Sequence, residues 1–223
     1  MAKSALLMPF LLAACSFGAE RTLQFATQAQ GIQELELGVG AGDVEVTGCQ
    51  CREIRATVAL SGKRWQVEKL EIRESREAGK LTLSLAPADH ARRHLSEDWT
   101  LTLPANLAVA VKVVVGDVVI RQVAGAIRVE VGVGDVRVQE LQGPLDAETG
   151  VGDIEVRGSW EAVGAVALET GVGDVRLLAP QHRERGEGLV SKNLLLQGPG
   201  PHPLKATTGV GDITVRLQSA GNL

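Results

Sequence analysis

The sequence predicts an all-β protein, a right-handed parallel β-helix or solenoid with coils of about 18 residues. Three observations predict it. Gly-Asp followed by a β-branched residue recurs at Asp43, Asp117, Asp135, Asp153, Asp174 and Asp212. Apolar residues alternate with polar ones on both sides of each copy, the period of a strand with one face in and one face out. Gly is abundant at 26 residues, while Tyr is absent and Phe and Trp number 3 each, as expected for short strands joined by tight turns.

Length and charge bound the alternatives. A chain of 223 residues holds one or two domains. Its net charge of -4 argues against nucleic acid, whose phosphates must be met by Lys and Arg. The scarcity of aromatic rings weakens single-strand binding and sugar stacking.

The N-terminus carries an address. Lys3 supplies one positive charge, and residues 5–14 are apolar apart from Pro9. Such a segment is too short to span a bilayer as a helix, which takes ~20 residues, and reads as a signal-peptide core. It ends in Leu12-Ala13-Ala14-Cys15. That tetrapeptide resembles the bacterial lipobox, in which the cysteine is acylated and becomes the new N-terminus. Ser16, rather than Asp, follows it, which by the lipoprotein rule implies the outer membrane in a Gram-negative host. A secretory signal cut nearby, after Gly18, is the alternative. The expected organisation is a lipoprotein signal peptide over 1–14, an anchor and linker over 15–30, and a β-solenoid domain over 31–223.

The repeats lie over one another residue by residue. Asp117, Asp135 and Asp153 are 18 apart; the next step is 21, and the last gap is 38. Two steps of 19 would place a drifted corner at Asn193, beside Lys192. Before the corners run Val109-Val111-Val113-Val115, Ile127-Val129-Val131-Val133, Leu145-Ala147-Thr149-Val151, Val166-Leu168-Thr170-Val172 and Leu204-Ala206-Thr208-Val210. Val118-Ile120, Val136-Val138, Ile154-Val156, Val175-Leu177 and Ile213-Val215 follow them. A strand pair of this length cannot bury its own apolar face. Stacking like coils at ~4.8 Å can, and parallel crossovers are strongly right-handed. An antiparallel meander sandwich is the rival.

The N-terminal half is less regular. Leu35, Leu37, Val39, Val44 and Val46 fit one copy around Asp43. Ile54 to Leu60 alternates, and Leu70-Ile72 and Leu81-Leu83-Leu85 flank a turn at Ala78-Gly79. Residues 86–98 read as a charged excursion, and strand resumes from Trp99 to Leu103. The span from Asp43 to Asp117 is expected to hold about four coils, and residues 179–202 a protruding loop plus the drifted coil.

Leu101-Thr102-Leu103-Pro104, the Gly-Asp-Val/Ile strands and Thr207-Thr208-Gly209-Val210-Gly211-Asp212-Ile213 resemble a bacterial putative-adhesin β-strand-repeat family. It is a domain of unknown function found in exported proteins and lipoproteins. The resemblance covers Leu101 to Leu217 firmly and reaches back to Gly31. It implies a β-helical fold outside the cytoplasm and brings no catalytic residues.

The aspartate column is the main candidate site. Carboxylates stacked ~4.8 Å apart repel by about 1 kcal/mol per neighbouring pair in water, so the row calls for a cation or for hydrogen-bond donors. A structural turn role for Asp43, Asp117, Asp135, Asp153, Asp174 and Asp212 is expected. Calcium is the alternative, though it wants six to eight oxygens and the second corner offers none regularly. Cys49 and Cys51 suggest a local disulfide, allowed in an oxidising compartment, provided the backbone bends after Gly48. Free thiols, a bond to another chain, or half a zinc site are the alternatives. His90 and His94, with Asp89, would face one metal only if helical, and read as solvated surface. Glu97 and Asp98 should point apart, which disfavours a paired-carboxylate hydrolase. No cofactor, catalytic residue or metal site is expected. The functional expectation is a non-catalytic, lipid-anchored binding or structural module of the cell envelope, attached to the membrane through Cys15. It would sit on the periplasmic or surface face of the outer membrane and meet an envelope protein or surface ligand. A calcium-binding repeat protein, a regulatory envelope partner and, last, a polysaccharide-processing β-helix enzyme are the rivals.

Overall fold

The computed structural model describes residues 19–86, 95–180, 182–185 and 191–219. The fold is all-β, built from two mixed sheets with an aliphatic core between them. The first two-thirds of the chain contributes β1 (Ala19–Gln28), β2 (Glu34–Ala41), β3 (Val44–Cys49), β4 (Glu53–Gly62), a one-turn helix α1 (Arg64–Val67), β5 (Glu71–Glu77), β6 (Lys80–Ala86), β7 (Ser96–Pro104), β8 (Ala108–Val115), β9 (Val118–Arg121), β10 (Ile127–Val133) and β11 (Val136–Leu141). The rest contributes β12 (Leu145–Val151), β13 (Ile154–Ser159), β14 (Val163–Val172), β15 (Val175–Ala179), β16 (His182–Arg185), β17 (Lys192–Gln197), β18 (His202–Val210) and β19 (Ile213–Gln218).

Alternation decides which side chains are inside. Val129, Val136 and Ile154 are buried, as are Leu35, Val46, Leu168 and Val215. Each such aliphatic chain removed from water is worth roughly 1.5–3 kcal/mol, and neighbouring coils stack them in register: Val111 opposite Val129, and Val129 opposite Ala147.

The ten-stranded sheet runs β1-β4-β7-β3-β9-β11-β13-β19-β15-β16, and the nine-stranded sheet runs β17-β14-β18-β12-β10-β8-β2-β6-β5. Each repeat puts one strand in each sheet, and the repeat strands pair in parallel. The sheets become antiparallel at their margins, through β1 with β4, β4 with β7, β5 with β6, β15 with β16, and β14 with β17. The β5–β6 hairpin turns through Ala78 and Gly79, both at positive φ (48° and 82°), the conformation that a tight two-residue hairpin requires.

Chain order and stacking order differ. Naming each coil by its corner aspartate, the stack reads Asp98, Asp43, Asp117, Asp135, Asp153, Asp212, Asp174. The last coil in sequence is therefore inserted between the Asp153 and Asp174 coils. The irregular step of 21 residues between those two has a physical reason. Trp160–Ala162 forms a 3-10 turn, and the added residues let the chain rise past a vacant level that β18 and β19 later fill.

Four expectations are corrected here. The span from Asp43 to Asp117 holds one further coil, β6–β7, rather than about four, because β4 and β5 pair antiparallel at the margins. Asn193 is not a drifted corner: it lies in β17, opposite Glu169 in an antiparallel pair. Residues 19–28, expected within a linker, form the edge strand β1. Val115, Val133, Val151, Val172 and Val210 are about half exposed instead of interior. Each precedes a positive-φ glycine, where the strand is already bending and its in-out alternation breaks.

Candidate functional site: the aspartate corner

Two requirements make glycine necessary at the corner. Gly42, Gly116, Gly134, Gly152, Gly173 and Gly211 all have φ between 140° and 149°, a region that side chains disfavour. A Cβ on Gly134 would also lie 2.1 Å from the carbonyl oxygen of Gly116, and one on Gly152 would lie 2.0 Å from that of Gly134. The corners are thus in near contact, backbone on backbone.

That approach brings the aspartates into a hydrogen-bonded ladder. Asp98 Oδ1 accepts the backbone N–H of Asp43 (3.1 Å), and Asp43 Oδ1 accepts that of Asp117 (2.9 Å). The pattern continues from Asp117 to Asp135 (2.9 Å), Asp135 to Asp153 (2.9 Å), Asp153 to Asp212 (2.7 Å) and Asp212 to Asp174 (2.8 Å). In the opposite sense, the carbonyl of each of these aspartates from Asp43 onward accepts an N–H from its neighbour, as Asp153 does from Val136 (2.9 Å). Charge-assisted bonds of this kind are stronger than neutral ones and supply the donors that a row of carboxylates needs.

The ladder has a direction, so among the described residues its last acceptor meets no further backbone donor. At Asp174 the Lys192 ammonium donates to Oδ1 instead, and Arg176 donates to Oδ2 (2.8 Å). Lys192 first, then Arg176, holds the Asp174 carboxyl below the usual carboxylate range. Along the row, Arg137 donates to Asp135 Oδ2 (2.8 Å) and lies 3.5 Å from Asp117 Oδ2. The hydrogen bond from Arg157, and less so the charge of Arg216, lowers the Glu155 carboxyl in the same groove. The groove is shallow and lined by Asp135, Arg137, Asp153, Glu155, Asp212 and Arg216.

At the first level Glu97 and Asp98 point apart, as expected. Glu97 is buried, its Oε1 accepting the N–H of Gly40 (2.6 Å) and its Oε2 that of the Trp99 indole (3.3 Å). Asp98 points outward and heads the ladder, with Ser96 donating to it (3.2 Å). Three buried threonines add a second layer. Thr149, Thr208 and Thr170 donate to the carbonyls of Gly134 (3.1 Å), Gly152 (2.9 Å) and Gly211 (2.9 Å).

All six sequence-predicted aspartates therefore join one feature. Asp98 and Lys192 were missed as its ends. Asp98 precedes Trp99-Thr100-Leu101 as Asp43 precedes Val44-Glu45-Val46, but it lacks the glycine that marks the other corners. The threonine signal, Thr-Gly-Val-Gly-Asp, stands three times in the sequence. Cys49 and Cys51 are joined in a disulfide with Cα atoms 5.3 Å apart, β3 ending at Cys49 as the backbone bends away. Cys15, Asp89, His90 and His94 lie outside the described residues. Among the described residues no three His, Cys, Asp or Glu side chains are grouped to hold a metal ion. Each ladder Oδ1 accepts a backbone N–H or, at Asp174, a proton of the Lys192 ammonium. No described helix is long and apolar enough to cross a membrane.

Residues 18–178 match the family described as the N-terminal domain of toast_rack, DUF2154. Among solved structures, the chain is similar to a putative cell adhesion protein from Clostridium sporogenes, with 16% identity and a TM-score of 0.60, over 90% of this chain and 100% of that one. A putative adhesin from Bacteroides fragilis aligns with 14% identity and a TM-score of 0.37, over 87% of this chain and 97% of that one. No curated protein matches the chain.

Proposed function

The chain belongs to the toast_rack N-terminal domain family, DUF2154, and from that premise we propose that it is a non-catalytic, adhesin-like module of the bacterial cell envelope. It is lipid-anchored through Cys15 at the outer membrane and presents a rigid β-solenoid to an envelope protein or surface ligand. The observation that carries this reading is the ladder from Asp98 to Asp174. The conspicuous carboxylates accept their hydrogen bonds from the stack itself, which suits a scaffold better than a reaction centre. Alternation of successive strands between the two sheets, with parallel pairing inside each, supports a right-handed winding. The fold shared with the Clostridium sporogenes protein supports the adhesin-like assignment.

Cys15→Ala with fatty-acid-analogue labelling and cell fractionation tests the anchor. The wild-type protein takes up label and sediments with outer membrane, and the variant does neither. Unlabelled wild-type protein recovered in the soluble periplasm overturns it. For the module itself, the lipidated protein is expected to bind intact cell envelopes saturably without depolymerising envelope polysaccharide. Release of sugar fragments overturns the non-catalytic reading.

A further inference from the structure

The strand that follows the proposed anchor carries with it an exposed aromatic and a set of cations. β1 begins at Ala19, four residues after Cys15, so an extended connection spans at most about 14 Å. Ala19 lies opposite Gly62 in the β1–β4 pairing, and α1 starts two residues later at Arg64. The point where the chain enters the fold and the helix therefore share one end of the sheet margin. Arg21, also on β1, ties them together: its Nη1 donates to the carbonyls of Val67 (3.1 Å), Glu68 (3.0 Å) and Leu70 (3.0 Å).

The helix is held with Gln66, Val67 and Leu70 inward, which turns Trp65 outward at 53% exposure. Trp99 is buried and Trp160 packs against His182, so Trp65 differs from the other tryptophans. Lys63, Arg64, Glu68 and Lys69 flank it along the chain, all exposed, and Glu68 is engaged by Arg64 at 2.8 Å. The patch thus has cationic excess around one amphipathic ring. Tryptophan favours the membrane interface, where its ring is half apolar and its N–H stays wet. Lysines near an anionic leaflet are drawn to it.

We propose that Trp65, with Lys63 and Lys69, docks on an anionic lipid bilayer and lays the β1 margin of the fold against the membrane. The proposal rests on acylation of Cys15, which would deliver this patch to the surface. Docking would fix the orientation of the stack and leave the opposite margin, β16 and β17, farthest from the lipid.

The test uses full-length protein purified from membranes, with acylation of Cys15 read by mass spectrometry. It is reconstituted into vesicles of phosphatidylcholine and phosphatidylglycerol with brominated acyl chains. Tryptophan emission is expected to be quenched relative to unbrominated vesicles, and Trp65→Ala abolishes that quenching while remaining acylated and folded. Lys63→Gln with Lys69→Gln reduces the quenching on vesicles containing phosphatidylglycerol and leaves it unchanged on neutral ones. Acylated protein whose emission is the same on both vesicle types overturns the docking and leaves Trp65 to a protein partner. An unacylated Cys15 overturns the anchor reading and the docking together.

Discussion

An interior level of the stack and its first level solve the same corner with different chemistry. At Asp135 the residue before the aspartate is Gly134, at φ 145°, where an added Cβ would collide with the Gly116 carbonyl. At Asp98 the equivalent residue is Glu97, whose backbone lies under Gly42. It sits within β7 without the glycines' positive φ, and its other side meets Leu60 of the antiparallel β4 rather than a like corner. At the interior corners the positive φ and the neighbour beneath together demand glycine. Where both conditions are lifted a side chain fits, and Glu97 folds inward, accepting hydrogen bonds from the Gly40 N–H and the Trp99 indole. The same logic governs the far level, where Lys192 replaces the backbone donor that a further coil would bring.

The largest effect should come from breaking the interior. Val136→Asp would bury an unpaired carboxylate and is expected to cost several kcal/mol, or to prevent folding. Arg137→Asp, one residue on, faces outward. It should cost only about 1 kcal/mol, since it replaces a cation beside Asp135 and Asp117 with a third carboxylate at an exposed site. Denaturant titration of both variants checks this, and equal losses would contradict the inward and outward assignment.

Next is the comparison of corners. Gly134→Ala should cost about 3 kcal/mol, through both the backbone clash and the positive φ. That corresponds to a melting temperature roughly 6–12 °C lower for a domain of this size. Gly38→Ala is the control: among the described residues no atom lies within 4 Å of its added Cβ, and it should be neutral or gain up to ~0.5 kcal/mol. If the two glycines respond alike, close stacking is not what selects glycine at the corners.

How much of this was readable in advance follows from the range of each interaction. Alternation and the Gly-Asp corner are local, so the strands, the buried faces of Val129 and Ile154, and the common fate of six aspartates could all be read from residues near in sequence. Stack order is not local. Any Gly-Asp coil fits beside any other, since they offer the same donors and acceptors. Only the 21-residue step, with Trp160–Ala162, hinted that the Asp174 coil skips a level. Even spacing points to a corner at Asn193, but the residues of that gap pair antiparallel as β17. Lys192 could not have been assigned, since it meets Asp174 only once the return strand is placed.

A smaller effect is expected within the ladder. Asp135→Asn keeps an Oδ1 acceptor for the Asp153 N–H and loses only the exposed pair with Arg137, so it should be nearly neutral. Asp135→Ala loses the acceptor and should be worse than Asn by about 0.5–1.5 kcal/mol. Chelator-stripped protein returned to millimolar calcium should melt at an unchanged temperature. A rise of several degrees that Asp135→Asn abolishes would signal a bound ion and overturn the structural role of the row.

The smallest effect is at the ladder's end, and pH makes it visible. Lys192 and Arg176 depress the native pKa of Asp174 below its unfolded value. A depressed carboxyl contributes stability above its ordinary pKa, near 4, and that contribution is lost as pH falls through the lower native value. Glu155, lowered mainly by Arg157, behaves in the same way. Stability should therefore decline on acidification below about pH 4. Lys192→Met removes the first cause at Asp174 alone. Its carboxyl carbon, followed by NMR, should titrate closer to the ordinary range, whereas Glu155 should titrate as before. Stability at neutral pH should fall only slightly, because the pair is exposed and screened by salt. A Glu155 midpoint that moves as far as that of Asp174 would show that Lys192 acts by a change in the stack. An unmoved Asp174 would remove Lys192 from the ladder's end.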